Sequence, residues 1–168
     1  MLQADVKLQQ IYLVVDKNMV EKINSLLGKL ESIEDEEIAS HLLNYICVLI
    51  SGYLETNIES IICHYKNTEH CNTHECKDNI KSLRKIQNAK WCAIRPILMN
   101  IDENILSLLR EELIYFEDVV ASIDNIVKTR HKIAHGENVT NLTESILRTD
   151  FINIQNFANK TQAVFECL

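Results

Sequence analysis

Three glycines and one proline in 168 residues leave this chain few places at which to turn sharply. A sheet needs many tight turns, and those draw on residues that tolerate positive φ or hold φ fixed. The shortage therefore predicts an all-α fold. Enough core material is present for one, because 46% of the residues are apolar. A chain of this size buries most of its unfolded surface without disulfide or metal staples. A single domain spanning residues 1–168 is expected.

Apolar residues recur at three- and four-residue steps, the pattern of amphipathic helices. Leu8, Ile11, Tyr12, Val15, Met19, Ile23, Leu26, Leu27 and Leu30 mark a first helical segment, which Asp16-Lys17-Asn18 could divide in two. Ser32-Ile33-Glu34-Asp35 resembles a capping box for a second helix running from Ile38 to Ile62. Gly52 inside it costs about 1 kcal/mol relative to alanine, which predicts close packing against another backbone. Residues 66–76 read as a polar loop and 78–87 as a short helix. Pro96 is expected to break or start an element, and Asp102 to cap a helix that carries Ile105, Leu108, Leu109 and Leu113. A further helix runs from about Glu117 to Ala134, where Gly136 can supply the left-handed residue that ends it. Thr143-Glu144 opens the last helix. Four main helices plus one or two short helices make a helical bundle the expected architecture.

The net charge of −7 argues against a broad nucleic-acid grip, which depends on many cations neutralising phosphates. A small basic site within an acidic protein remains compatible with it. No positively charged leader or cleavage pattern is visible at the N-terminus. No apolar run is read as a membrane span. The six cysteines are accordingly expected to be reduced in a cytoplasmic protein, with Cys47 and Cys63 as small buried hydrophobes.

One stretch concentrates chemistry: Arg130-His131-Lys132-Ile133-Ala134-His135, closed by Gly136. Imidazole takes or gives a proton near neutral pH, and guanidinium holds phosphoryl oxygens through paired, geometrically fixed donors. Arg130 and His135 lie five residues apart, so on an ideal helix they point in different directions. They share a site only if the helix ends near His135 or the arginine reaches round it. His131 and His135 are four apart and share a face. Cations also suit the negative end of any helix, which is the plainer explanation of the same residues.

The segment Ile126 to Gly136, with an arginine, four residues and a histidine, resembles the HEPN superfamily (higher eukaryotes and prokaryotes nucleotide-binding domains). His131 suits the polar position that follows the arginine in that family. Thr140-Asn141-Leu142-Thr143-Glu144 before a long amphipathic helix, and the earlier Ser51-Gly52-Tyr53-Leu54-Glu55-Thr56-Asn57-Ile58-Glu59, are similar to these proteins as well. The resemblance touches about half the chain. It implies an HEPN-like helical bundle and a metal-independent endoribonuclease, active as a homodimer whose two motifs meet across a shared cleft. On that reading Arg130, His135 and His131 are catalytic. His135 moves the proton at the 2′-OH or at the leaving 5′-oxygen, Arg130 stabilises the pentavalent phosphate, and His131 orients substrate or shares the proton work. Lys128 and Lys132 would bind the RNA. No cofactor and no metal is required. A toxin or anti-phage defence effector restrained by an antitoxin or nucleotidyltransferase-type partner is the implied role, with no membrane association. The alternative is a non-catalytic module that binds nucleotide or RNA, or docks a partner.

Two other groups of residues are weighed. Cys63, His64, His70, Cys71, His74 and Cys76 supply metal-ligand chemistry, but their spacing misses the usual zinc patterns. Lys77, Lys81, Arg84, Lys85, Lys90 and Arg95 form either a track for an RNA backbone or a solvated helix face.

Overall fold

The computed structural model describes residues 17–67 and 88–167. Among them are six helices and no strand. We label these α1 (residues 17–30), α2 (Glu36–Asn67), α3 (Trp91–Met99), α4 (Ile105–Glu112), α5 (Phe116–Ala134) and α6 (Glu144–Cys167). Four long helices and two short ones make the all-α bundle that the apolar spacing predicts. Residues 1–16, and with them the first half of the expected first helix, lie outside the described residues. So does the expected helix at 78–87.

The long helices α2, α5 and α6 pack against one another and form the centre. Ile46, Ile50, Leu54 and Ile58 of α2 face Ile123, Ile126 and Val127 of α5 and Phe151, Ile154 and Phe157 of α6 in one buried cluster. Each side chain of this kind contributes about 1.5–3 kcal/mol by leaving water. Aromatic edges add direction. Tyr53 meets Phe151 at 5.6 Å, and Trp91 meets Phe116 and Phe157 at 5.4 and 5.9 Å, all edge to face. Trp91 opens α3, and its backbone N–H donates to the Asp124 carboxylate of α5 at 2.8 Å. A carboxylate borrowed from a neighbour thus caps the positive end of α3.

Several local expectations are corrected. Ser32 does not cap α2, because its hydroxyl donates back to the Lys29 carbonyl. Asp35 caps instead, accepting from the N–H groups of Glu37 and Ile38 at 2.9 and 3.0 Å. Asp102 folds into a local turn, accepting from the Asn104 N–H, and α4 begins after Asn104. Pro96 lies inside α3 rather than at an end. In so short a helix its missing N–H forfeits only one turn's hydrogen bond. Thr143 caps α6 as expected, its hydroxyl accepting from the Ile146 N–H.

Two corrections concern α2. A Cβ added to Gly52 would meet nothing within 4 Å among the described residues, so no described backbone approaches it. The stretch Glu36–Ile62 is also long and apolar enough to cross a membrane by length and composition. Its apolar residues Ile46, Cys47, Ile50, Leu54, Ile58 and Ile62 are nevertheless buried against the other helices, which is the behaviour of a core helix.

Candidate functional site

The position of Arg130 follows from the periodicity of α5. Val119, Ile123, Ile126 and Val127 are buried on one stripe of that helix. Arg130 comes four residues after Ile126 and seven after Ile123, so it continues the same stripe to the end of the bundle. Its side chain is half-buried. Lys128, His131, Lys132 and His135 recur at steps of three, one and three and occupy the other flank. Lys128, His131 and His135 are exposed and Lys132 is half-buried. The imidazoles of His131 and His135 meet edge to face, with ring centroids 4.3 Å apart. The cationic motif therefore divides between an inward guanidinium and an outward pair of imidazoles flanked by two ammonium groups.

The helix ends where the motif requires it. His135 is the last residue before the chain leaves α5, with φ −93° and ψ 6°. Its N–H still donates to the carbonyls of His131 and Lys132, at 3.1 Å each. Gly136 follows at φ 71°. The Gly136 N–H returns to the Ile133 carbonyl and the Glu137 N–H to the Lys132 carbonyl, both at 3.0 Å. This is a Schellman closure, and it needs a left-handed residue that only glycine supplies without strain. His135 therefore stands at an exposed helix C-terminus.

Sequence reasoning passed over Glu55 as an individual residue. It projects from α2 at the margin of that helix's buried row, four residues after Ser51 and seven before Ile62. An acid interrupting such a row was the available signal. Burial raises the pKa of the Glu55 carboxyl, while the charge of Arg130 and a hydrogen bond donated by the Ala89 N–H pull it back down. Its Oε1 is shielded from solvent and has no hydrogen-bond partner among the described residues. The charge of Arg130 thus reaches a carboxylate on α2.

A second polar knot lies between α5 and α6. Asp150 of α6 is buried. It accepts from the Asn125 amide at 2.6 Å and from the Ser122 hydroxyl, and Ser122 in turn accepts from the Asn153 amide at 2.9 Å. Burial still outweighs those bonds and raises the Asp150 pKa. The neighbouring Cys47 thiol donates to the Ile126 carbonyl at 3.7 Å. Burial, and then the charge of Asp150, push that thiol up to about 12. A thiol so protonated is a packing group and a poor nucleophile.

The Cys63-to-Cys76 constellation has no described side chains, and Lys77, Lys81, Arg84 and Lys85 also lie outside the described residues. Of the basic run, Lys90 and Arg95 are described and exposed. Lys90 and Ala89 belong to the connector that enters α3, beside Glu55.

No curated protein and no solved structure matches the chain significantly. A family model does, that of RiboL-PSP-HEPN, over residues 17–166. This span takes in the six described helices, up to the last residue of α6, and the whole cationic motif. The chain therefore belongs to the RiboL-PSP-HEPN family, whose HEPN domain points to RNA-directed, nuclease-related chemistry.

Proposed function

We propose that this protein is a metal-independent endoribonuclease, in which two copies bring their cationic helix ends together around one RNA strand. The observation that carries the reading is the exposed His131–His135 pair at the end of α5, with Arg130 on the adjoining inner edge. RNA supplies its own nucleophile. Attack of the 2′-oxygen on phosphorus forms a cyclic phosphate as the bond to the 5′-oxygen breaks, and two proton transfers complete the step. One imidazole takes the 2′-OH proton and another delivers one to the departing 5′-oxygen. His135 is assigned one of these transfers. His131 shares the work or orients the strand. Arg130 meets the charge that builds on the phosphoryl oxygens, and Lys128 and Lys132 hold neighbouring phosphates. A two-fold axis doubles every group, which gives a dimer the acid and base pair that one short motif supplies thinly. A toxin or defence effector acting in the cytoplasm, restrained by a neutralising partner, fits such an activity.

The half-buried setting of Arg130 favours a second reading. There the guanidinium is a structural or ligand-holding group, and the domain binds RNA or a partner protein without cutting. Purified protein incubated with total RNA, with and without chelator, separates the two. Cleavage indifferent to chelator and reduced at least about a hundredfold by H135A, with helicity retained, supports the enzyme. Undiminished cleavage by H135A ends the assignment of His135, and binding without cleavage selects the second reading.

A further inference from the structure

The exposed flank of α5 carries Asp124, Lys128, His131 and His135 at steps of four, three and four, so these residues share one face. At the rise of an α-helix, Lys128 lies about 6 Å and His135 about 16 Å along the axis from Asp124. The chain entering α3 is fastened to this row, because the Trp91 N–H donates to Asp124 Oδ1 at 2.8 Å. Lys90, the residue before it, is extended at φ −64° and ψ 154°. Its carbonyl accepts from the Ala93 and Ile94 N–H groups at 2.9 and 3.0 Å. The backbone of Lys90 is thus held while its side chain is exposed. An ammonium group with a fixed root therefore stands beside Asp124, at the head of the row that ends in the imidazoles.

The charges along this flank suit a polyanion. Asp124 caps the positive end of α3, which offsets its own charge. Among the described residues no carboxylate pairs with Lys90, Lys128 or Lys132, whereas Arg110, Arg148 and Lys160 on α4 and α6 are paired. Before Asp124 the same flank turns acidic at Glu117. A strand laid along α5 from the imidazoles meets cations as far as Lys90 and repulsion beyond it.

We propose that Lys90 is a substrate-binding residue that holds an RNA phosphate several nucleotides from the one at the His131–His135 pair, so that the strand lies along the exposed flank of α5. The inference rests on the RNA reading for its ligand and on the α3–α5 hydrogen bond for its place. At about 3.4 Å per stacked nucleotide, the distance to His135 corresponds to about five nucleotides. Lys90 touches no reacting atom. It supplies one contact that positions the strand and reads no base.

The test measures binding to the full chain, across a salt series, of a fluorescent oligoribonucleotide of about ten residues whose 2′-hydroxyls are all methylated against cleavage. Each phosphate contact to a single strand contributes about 0.7 to the slope of log K against log salt. K90Q should bind about fivefold weaker and lose about 0.7 of that slope, and K90R should keep both. R95Q removes the same charge from an exposed residue further into α3, which leads away through α4 to the start of α5. It should leave the slope unchanged. An unchanged slope in K90Q overturns the proposal. So does an equal loss in R95Q, because net charge alone would then account for both. K90Q leaves the backbone bonds of the cap in place, so its helicity and urea midpoint should match the wild type. A loss of either makes Lys90 a structural residue and overturns the proposal. Failure of the wild type to bind the probe ends the RNA reading, and with it the ligand assigned to Lys90.

Discussion

Glu55 and Asp150 are two carboxyl groups set into the same helix bundle, and both are raised in pKa chiefly by burial. Their surroundings differ in kind. Asp150 is surrounded by neutral donors, the Asn125 amide and the Ser122 hydroxyl, with Asn153 completing the chain of bonds. Glu55 has one backbone donor, a nearby guanidinium, and an oxygen with no donor among the described residues. A group whose bonds are all made fixes helices in register. A group left short of a donor contributes less to holding its helices together. The contrast separates an acid that ties two helices together from one left incompletely satisfied.

The largest expected effect comes from breaking the satisfied acid. D150A leaves the buried Ser122 hydroxyl and the part-buried Asn125 amide without their acceptor, and should destabilise the protein by about 2 kcal/mol in urea unfolding. E55A should cost clearly less, because it orphans only the Ala89 N–H. Equal losses would erase the distinction. A pH series sharpens it. For a carboxyl whose folded pKa lies above its unfolded value, the native state binds more protons between the two values. Stability from that group is therefore greatest below about pH 4 and is lost as pH climbs through the folded pKa. D150N and E55Q should each flatten that decline. A wild-type stability that instead rises steadily across this window would contradict the raised pKa values.

Next in size is the helix end that presents the imidazoles. G136A forces a left-handed conformation on a residue with a Cβ and should cost about 1–2 kcal/mol. It should also lower RNA cleavage or binding, since the Schellman bonds that place His135 run through Gly136 and Glu137. Lost stability with unchanged action on RNA would detach the cap from the site.

These elements differed in how plainly the sequence announced them. The helices were legible because apolar spacing over long segments reports directly on packing, and Gly136 was legible because a glycine after a helical stripe has one common use. The caps were not. Ser32 and Asp35 both have capping chemistry, and only the path of the chain decides which hydroxyl or carboxylate meets a free N–H. Arg130 was singled out for its chemistry, while its inward direction follows from counting it as a continuation of Val119, Ile123 and Ile126. Glu55 escaped notice individually because its meaning depends on α5, some seventy-five residues further along the chain. Asp150 and Ser122 look like ordinary helix-surface residues until α5 and α6 are laid together.

The smallest effect concerns the face of α2 turned away from the core. Ile38, Tyr45 and Val48 are exposed there, at 56%, 45% and 38%, and Gly52 continues the row. The row leads on to Glu55, three residues beyond Gly52. Among the described residues of one chain nothing stands within 4 Å of an added Cβ at Gly52, so G52A should fit and gain up to about 1 kcal/mol of helix propensity. That gain is expected for dilute, monomeric protein. If two copies close on each other along this row, the added methyl intrudes on the mate, and the same substitution should weaken association as it strengthens the isolated fold. Sedimentation equilibrium beside urea unfolding distinguishes the outcomes. A gain in stability at every protein concentration leaves Gly52 facing solvent. A gain only at low concentration, with a raised dissociation constant, brings the second copy against α2 and beside Glu55.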